Sequence, residues 1–183
     1  MKREEALKLV SEHVKNKNLI KHMLATEAVM RKLAERLGQD EELWGLTGLL
    51  HDIDYDKTSG SPREHSLLGA EMLESLGLPG ELVYAVKCHN EFHGFPRRSL
   101  LDKALYAVDP LTGLIVASAL IHPEKKLAPI DVTFVMNRFK EPSFARGANR
   151  DQIRSCRELG LSLEDFVGLG LDAMKEISEE LGL

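Results

Sequence analysis

The chain has 183 residues, of which 43% are hydrophobic and 29% are charged, and its formal net charge is −5. This length and composition are typical of one soluble globular domain that buries about two-thirds of its unfolded surface. The negative charge and the lack of a basic stripe argue against a partner such as duplex nucleic acid.

The N-terminal residues and the cysteines indicate the compartment. MKREEALKLV lacks the apolar core of a secretory signal, and the longest weakly polar run, Leu111–Ile121, is too short to span a bilayer. Cys88 and Cys156 have no metal-binding spacing, which favours buried free thiols over a disulfide framework. We therefore expect a cytoplasmic protein with no membrane segment.

Apolar residues recur at helical spacing along the chain, whereas the alternation typical of strands is nearly absent. The sequence therefore predicts an all-α fold, with no repeat, low-complexity tract or long linker to divide it. The predicted helices, in chain order, are 3–15, 18–37, 41–52, 62–76, 80–91, 99–121, 130–139, 150–159 and 163–181.

Several helix ends have a local signal. Ser61–Glu64 has the pattern of a capping box with proline at the first helical position. Ser99 and Ser162 each precede a predicted helix that a serine side chain can cap. Gly38 and Gly160 stand where a helix is expected to stop.

Side chains that can bind a metal ion recur on or beside the apolar faces of five predicted helices. They are His22, His51, Asp52, His65, His89 and Asp109. A single histidine on such a face is more often a hydrogen-bonded core residue than a ligand. An inward Asp109 is costly to bury unless it meets a cation or several donors. Taken together, the six residues predict a metal site, because neutral imidazole and carboxylate are natural metal ligands.

The order of these residues resembles a known signature. His22, the pair His51-Asp52, and Asp109 in LYAVDPLTG resemble the H…HD…D motif of the HD-domain superfamily of metal-dependent phosphohydrolases. The resemblance spans residues 18–120, the core of a predicted single HD domain. It leaves residues 121–183 as an additional helical extension.

The resemblance also implies a metal count. His65 in REHSLLGAEML and His89 in VKCHNEFHG are similar to the extra histidines of the two-metal branches of the family. Asp52 would then bridge one ion held with His22, His51 and Asp109 to a second ion held by His65 and His89. Iron or manganese suits such ligands, and zinc is compatible with them. A one-metal site remains the alternative, as does a competing pair of His89 and His93 at helical spacing.

The activity that the resemblance implies is hydrolysis of a small phosphorylated metabolite, in particular a nucleotide, through attack of a metal-bound hydroxide on phosphorus. Two alternatives use the same ligands. One is a di-iron oxygenase of the HD type, and the other is a non-catalytic regulator that binds a nucleotide.

Two polar segments are candidates for the remaining chemistry. Asp54, which stands where the commonest family text HDIG has glycine, is predicted to act with Asp52 in catalysis as a general acid or base, and Lys57 to contact a phosphate. A solvated acidic turn is the alternative. In FKEPSFARGANRDQ, Lys140, Arg146 and Arg150 predict a phosphate cradle beside a helix start, with a solvated basic loop as the alternative.

Overall fold

The computed structural model describes residues 1–183 and contains no strands, which confirms the predicted all-α class. Its helices are α1 (Arg3–His13), α2 (Lys17–Leu37), α3 (Glu41–Leu50), α4 (Tyr55–Thr58), α5 (Leu67–Ser75), α6 (Gly80–His89), α7 (Leu100–Ile121), α8 (Val132–Phe139), α9 (Arg150–Arg154), α10 (Leu163–Glu176) and α11 (Ser178–Leu181). Two short 3-10 helices span Glu91–His93 and Ser155–Leu159.

Helix α7 is the centre of the fold and packs against α2, α3, α6, α8, α9 and α10. Its length and a mean hydropathy of 1.8 over 18 residues would allow it to cross a membrane, but 67% of that window is buried inside the fold. A helix that is apolar on all faces and enclosed by others is typical of a protein core. The burial of α7 is therefore consistent with a soluble protein.

The C-terminal helices share this core. Ile153 on α9 and Phe166 and Leu171 on α10 are buried in the same apolar cluster as Leu105 and Leu111 of α7. Burial of such side chains is the main stabilising contribution to folding. Residues 121–183 therefore close one side of the helix that carries Asp109.

Helices α2 and α3 pack against each other more extensively than any other pair of helices in the structure. The approach requires a glycine, because a Cβ atom at Gly48 would lie 2.8 Å from the carbonyl oxygen of Thr26. Asn16 caps the start of α2, and Gly38 ends it with a φ of 64°. The close approach brings His22, in the first half of α2, beside His51 at the end of α3.

The prediction of a helix over 62–76 is wrong at its start. The chain turns through residues 61–66, Ser66 has a φ of 71°, and α5 begins only at Leu67. Two other segments of the chain stabilise this turn, because the Ser66 N–H donates to Asp54 and the Ser66 hydroxyl donates to the Lys87 carbonyl. The predicted capping box at Ser61–Glu64 therefore does not form.

Other predicted boundaries shift less. The predicted helix 41–52 ends at Leu50, and the short helix α4 that follows was not predicted. The predicted helix 163–181 breaks at Ile177, and 150–159 continues from α9 as a 3-10 helix. Ser99 and Ser162 cap α7 and α10 as expected, since each side chain accepts a backbone N–H three residues later.

Candidate metal centre

Five segments of the chain bring the six predicted ligands together. The residues are His22 on α2, His51 and Asp52 just after α3, His65 in the turn before α5, His89 at the end of α6, and Asp109 on α7. They form two groups of candidate metal ligands, His22 with His51 and Asp52, and Asp52 with His65 and His89. Within each group the ligand atoms lie within 4.8 Å of one another.

The first group gathers around Nε2 of His22. This atom lies 3.2 Å from Nε2 of His51 and 3.1 Å from Oδ1 of Asp109. Oδ2 of Asp52 lies 3.5 Å from Nε2 of His51 and 3.7 Å from Nε2 of His22. Two imidazole nitrogens and two carboxylate oxygens therefore face a common point.

The second group gathers around the other oxygen of Asp52. Oδ1 of Asp52 lies 3.4 Å from Nε2 of His65 and 3.4 Å from Nε2 of His89. Asp52 thus presents one oxygen to each group.

Hydrogen bonds at the far side of the rings determine which nitrogen faces inward. Nδ1 of His51 lies 2.8 Å from the Gly48 carbonyl oxygen, and Nδ1 of His89 lies 2.6 Å from that of Val86. A carbonyl oxygen only accepts, so each Nδ1 carries the proton. Each ring, when it is neutral, therefore directs the lone pair of Nε2 toward the centre.

His22 is oriented in the same sense by a hydroxyl. Thr112 Oγ1 donates to the Asp109 carbonyl oxygen at 2.9 Å, and so it accepts from Nδ1 of His22, also at 2.9 Å. The motif gives no signal for Thr112 except its place one turn after Asp109.

His65, the fourth histidine of the centre, is oriented by the buried carboxylate of Asp54. Oδ1 of Asp54 accepts from Nδ1 of His65 at 3.0 Å, while Oδ2 accepts from the backbone N–H groups of Ser66 and Gly69. Asp54 is fully buried, and three hydrogen bonds occupy its carboxylate. These contacts suit Asp54 to positioning His65, and its role as a general acid or base stays a prediction.

Burial and neighbouring charges strongly shift the pKa values of the candidate ligands. Burial lowers the pKa of His51 to about 4. Burial also acts to lower the pKa of His89, but the adjacent Asp52 carboxylate outweighs it and raises the pKa to about 9. Burial acts to raise the pKa of Asp52, yet His51 and His89 hold it far below its usual range.

The residues fit divalent metal ions. Nε2 of His89 is buried and makes no well-formed hydrogen bond, although Oδ1 of Asp52 lies 3.4 Å away, and such an atom is costly to bury. When His22 and His51 are both neutral, their Nε2 lone pairs face each other at 3.2 Å with no proton between them. A cation at each group would satisfy these atoms and the two carboxylates.

The predicted basic residues do not reach the centre. Lys57, Lys140 and Arg146 are exposed and make no polar contact with the six ligands. The Arg150 guanidinium points into its own loop, where it donates to the carbonyl oxygens of Phe139, Phe144, Ala145 and Ala148.

The predicted cradle segment does lie beside the centre, but through its backbone. Ala145, Gly147 and Ala148 line a cavity of about 310 Å³ together with His22 and Asp109. His93 lies behind the centre, with Nε2 2.9 Å from the His65 carbonyl oxygen. The alternative pairing of His89 with His93 therefore does not form in this structure.

Comparison with known proteins agrees with the arrangement of these residues. A family model described as HD domain matches residues 19–119, a range that contains all six candidate ligands. No solved structure matches the chain at a significant level.

Three curated relatives illustrate the similarity. Ribonuclease Y of Desulfotalea psychrophila is 31% identical over 52% of this chain and 18% of its own length. Ribonuclease Y of Aquifex aeolicus is 27% identical over 91% of this chain and 30% of its own length. An uncharacterized protein of Methanocaldococcus jannaschii is 34% identical over 49% of this chain and 54% of its own length. The chain thus spans at most about half of these relatives. The family match covers more than half of the chain and includes the whole of the candidate metal centre, so the chain belongs to the HD domain family.

Proposed function

We propose that the protein is a metal-dependent phosphohydrolase that binds two divalent ions and acts on a small phosphorylated metabolite, in particular a nucleotide. The observation that carries the proposal is the position of Asp52, whose two oxygens face two separate sets of imidazole nitrogens. Two-metal sites with a shared carboxylate suit phosphoryl chemistry, because bound ions activate water and stabilise the charge that develops on the phosphoryl oxygens.

One side of the metal centre is buried in the protein, and the other side is partly exposed to solvent. The side chains of His51, His89 and Asp52 are 0%, 2% and 8% exposed, whereas those of His22 and Asp109 are 23% and 29% exposed. Substrate would therefore approach over His22 and Asp109, while the buried residues exclude water from the far side.

The relatives support phosphoester chemistry. Two of those named above are called Ribonuclease Y, and a ribonuclease cleaves phosphodiester bonds in RNA. The chain covers less than a third of either relative. The proposal therefore takes from these relatives only the class of bond, a phosphoester, and not the size of the substrate. Iron or manganese as the metal, and a cytoplasmic location, are part of the same proposal.

Phosphate release tests the proposal. The protein is loaded separately with Fe²⁺, Mn²⁺ or Zn²⁺ and screened against mononucleotides, cyclic nucleotides, dinucleoside polyphosphates, phosphosugars and short RNA oligonucleotides. We expect turnover of at least one nucleotide, and its loss on chelation and in Asp52→Ala. Oxygen consumption by the Fe²⁺ form without phosphate release from any compound would favour an oxygenase. Tight nucleotide binding without turnover would favour a regulator.

A further inference from the structure

Two cavities meet beside the open side of the metal centre. The cavity of about 310 Å³ lies between Asp109 and the Ala145–Ala148 loop. A second cavity of about 420 Å³ lies further along the same face of α7, toward its C-terminal end, and both cavities are lined by His22 and Gly113. The two cavities therefore adjoin each other at a candidate metal ligand.

Gly113 lies at the meeting point and has no packing role. It is in the interior of α7 and exposed, and a Cβ atom built there would meet nothing within 4 Å. Gly170 differs, because a Cβ atom there would lie 2.8 Å from Leu111. Glycine weakens a helix interior relative to alanine. Packing therefore does not require the glycine at 113, and a larger side chain there would enter the open space above it.

The loop that lines one side of the first cavity contains two backbone N–H groups without a partner. Arg150 holds the carbonyl oxygens of Phe144 and Ala145, and in a trans peptide the N–H points away from the carbonyl. The N–H groups of Ala145 and Arg146 therefore point away from the guanidinium, and neither has a hydrogen-bond partner within the chain. Ala145 has a φ of 44°, and successive free amides in such a turn suit an anion.

Apolar side chains line part of the second cavity. Val116, Leu120 and Leu183 line it, with Lys21 at its edge, and Leu120 is 50% exposed although it is a large apolar side chain. An exposed leucine that lines a concave surface next to a reactive centre is suited to cover an apolar part of a ligand.

We propose that these cavities are one substrate cleft, in which the phosphoryl group lies between the metal centre and the Ala145–Ala148 loop and an apolar or aromatic group of the same molecule packs on Val116 and Leu120. Gly113 keeps the passage between the two parts open. This inference rests on the proposed function only for the position of the phosphoryl group. It assigns the substrate class as phosphoryl compounds that carry an apolar group.

Two phosphonates that differ in the group attached to phosphorus separate the two parts of the cleft. Methylphosphonate and phenylphosphonate are titrated into the Mn²⁺-loaded protein by calorimetry, and neither has a P–O ester bond to hydrolyse. We expect phenylphosphonate to bind at least about tenfold more tightly because its ring is buried. Gly113→Leu should abolish that preference with unchanged metal content, and Leu120→Ser should reduce it without weakening methylphosphonate binding.

Gly113→Ala and Gly168→Ala compare helix stability at the two glycines, and Gly168→Ala is the control for phenylphosphonate binding. Both remove a helical glycine with room for a methyl group, so both should raise the melting temperature by about 2 °C. Gly168 lies on α10 and lines neither cavity. Gly168→Ala should bind phenylphosphonate more tightly than methylphosphonate to the same degree as the unsubstituted protein.

Equal affinity of the parent protein for both phosphonates, or an unchanged phenyl preference in Gly113→Leu and Leu120→Ser, would overturn the cleft. Nucleotide turnover by a protein with that result would leave the hydrolase proposal standing. Conversely, a Gly113-dependent phenyl preference in a protein that hydrolyses no phosphoester would support the cleft and count against the hydrolase.

Discussion

Asp54 holds His65 in place through a hydrogen bond of 3.0 Å between Oδ1 and Nδ1, and this bond turns Nε2 of His65 toward Asp52. The same carboxylate accepts the N–H groups of Ser66 and Gly69 and so fixes the turn that carries the histidine. Asp54 therefore supports the second group of ligands without facing it directly. Partners of this kind commonly tune a metal site as strongly as its ligands do.

Asp54→Asn should weaken the second ion. The change keeps the size of the side chain but removes the charge that holds Nδ1–H of His65, and we expect about a 10- to 100-fold loss in affinity for one ion. Competition with a metal chelator measures it. Asp56→Asn is the control, because Asp56 accepts the N–H groups of Lys15 and Asn16 and touches no ligand. Equal chelator resistance in both variants would contradict the positioning role.

Thr112→Val should weaken the first ion. Valine has nearly the same shape but cannot accept Nδ1–H of His22, so the ring loses its orientation. We expect roughly a tenfold lower affinity for one ion, again by chelator competition. Thr26→Val is the matched control, since the buried Thr26 hydroxyl donates only to the His22 carbonyl oxygen. If the two variants lose affinity equally, the Thr112 contact has no specific role.

Metal stoichiometry should distinguish shared from unshared ligands. His65→Ala or His89→Ala should reduce the metal content from about two ions per chain to about one, because only the second group loses a donor. Asp52→Ala should remove both ions while the protein stays helical. Elemental analysis and circular dichroism measure these outcomes. Full metal content in the histidine variants would instead indicate a one-metal site with His65 and His89 as core residues.

Binding of the second ion should release protons near neutral pH. The pKa of His89 is raised to about 9 in the metal-free protein, so the ring is protonated at pH 7 and must lose that proton to coordinate a metal. Affinity should therefore rise with pH up to about 9, by at most about tenfold per pH unit. Calorimetry at pH 7 in buffers of different ionisation enthalpy counts the protons. A count that is the same in His89→Ala would refute the assignment.

Arg150→Met should destabilise the protein and not merely lower its affinity for anions. Its guanidinium donates to the carbonyl oxygens of Phe144, Ala145 and Ala148, and of these Phe144 and Ala148 would be left without a partner, since Ala145 also accepts the Ala148 N–H. We expect a loss of about 1–3 kcal/mol in the free energy of unfolding, measured with denaturant. Arg154→Ala removes the same charge from the same helix but lacks these contacts, and should cost less than about 1 kcal/mol.

Sequence periodicity determined the main outline of the protein. Apolar spacing predicted the helices and the all-α class, and it placed metal-capable side chains on or beside inward faces, six of which the structure brings together. These predictions depend on local properties, since the helical repeat decides which residues share a face whatever lies opposite. The exception is His65, which reaches the centre from a turn and not from the predicted helix.

The hydrogen-bond partners of the polar side chains depend on the tertiary structure and could not be predicted from the sequence. Asp54 and Arg150 look like catalytic or substrate-binding groups in the sequence, yet one holds the His65 turn and the other gathers the carbonyl oxygens of its own loop. The division of Asp52 between two groups, and the support of His22 by Thr112, 90 residues away, also depend on distant segments. A charged side chain takes its role from the partners that surround it after folding, and those partners come from parts of the chain that local periodicity does not relate.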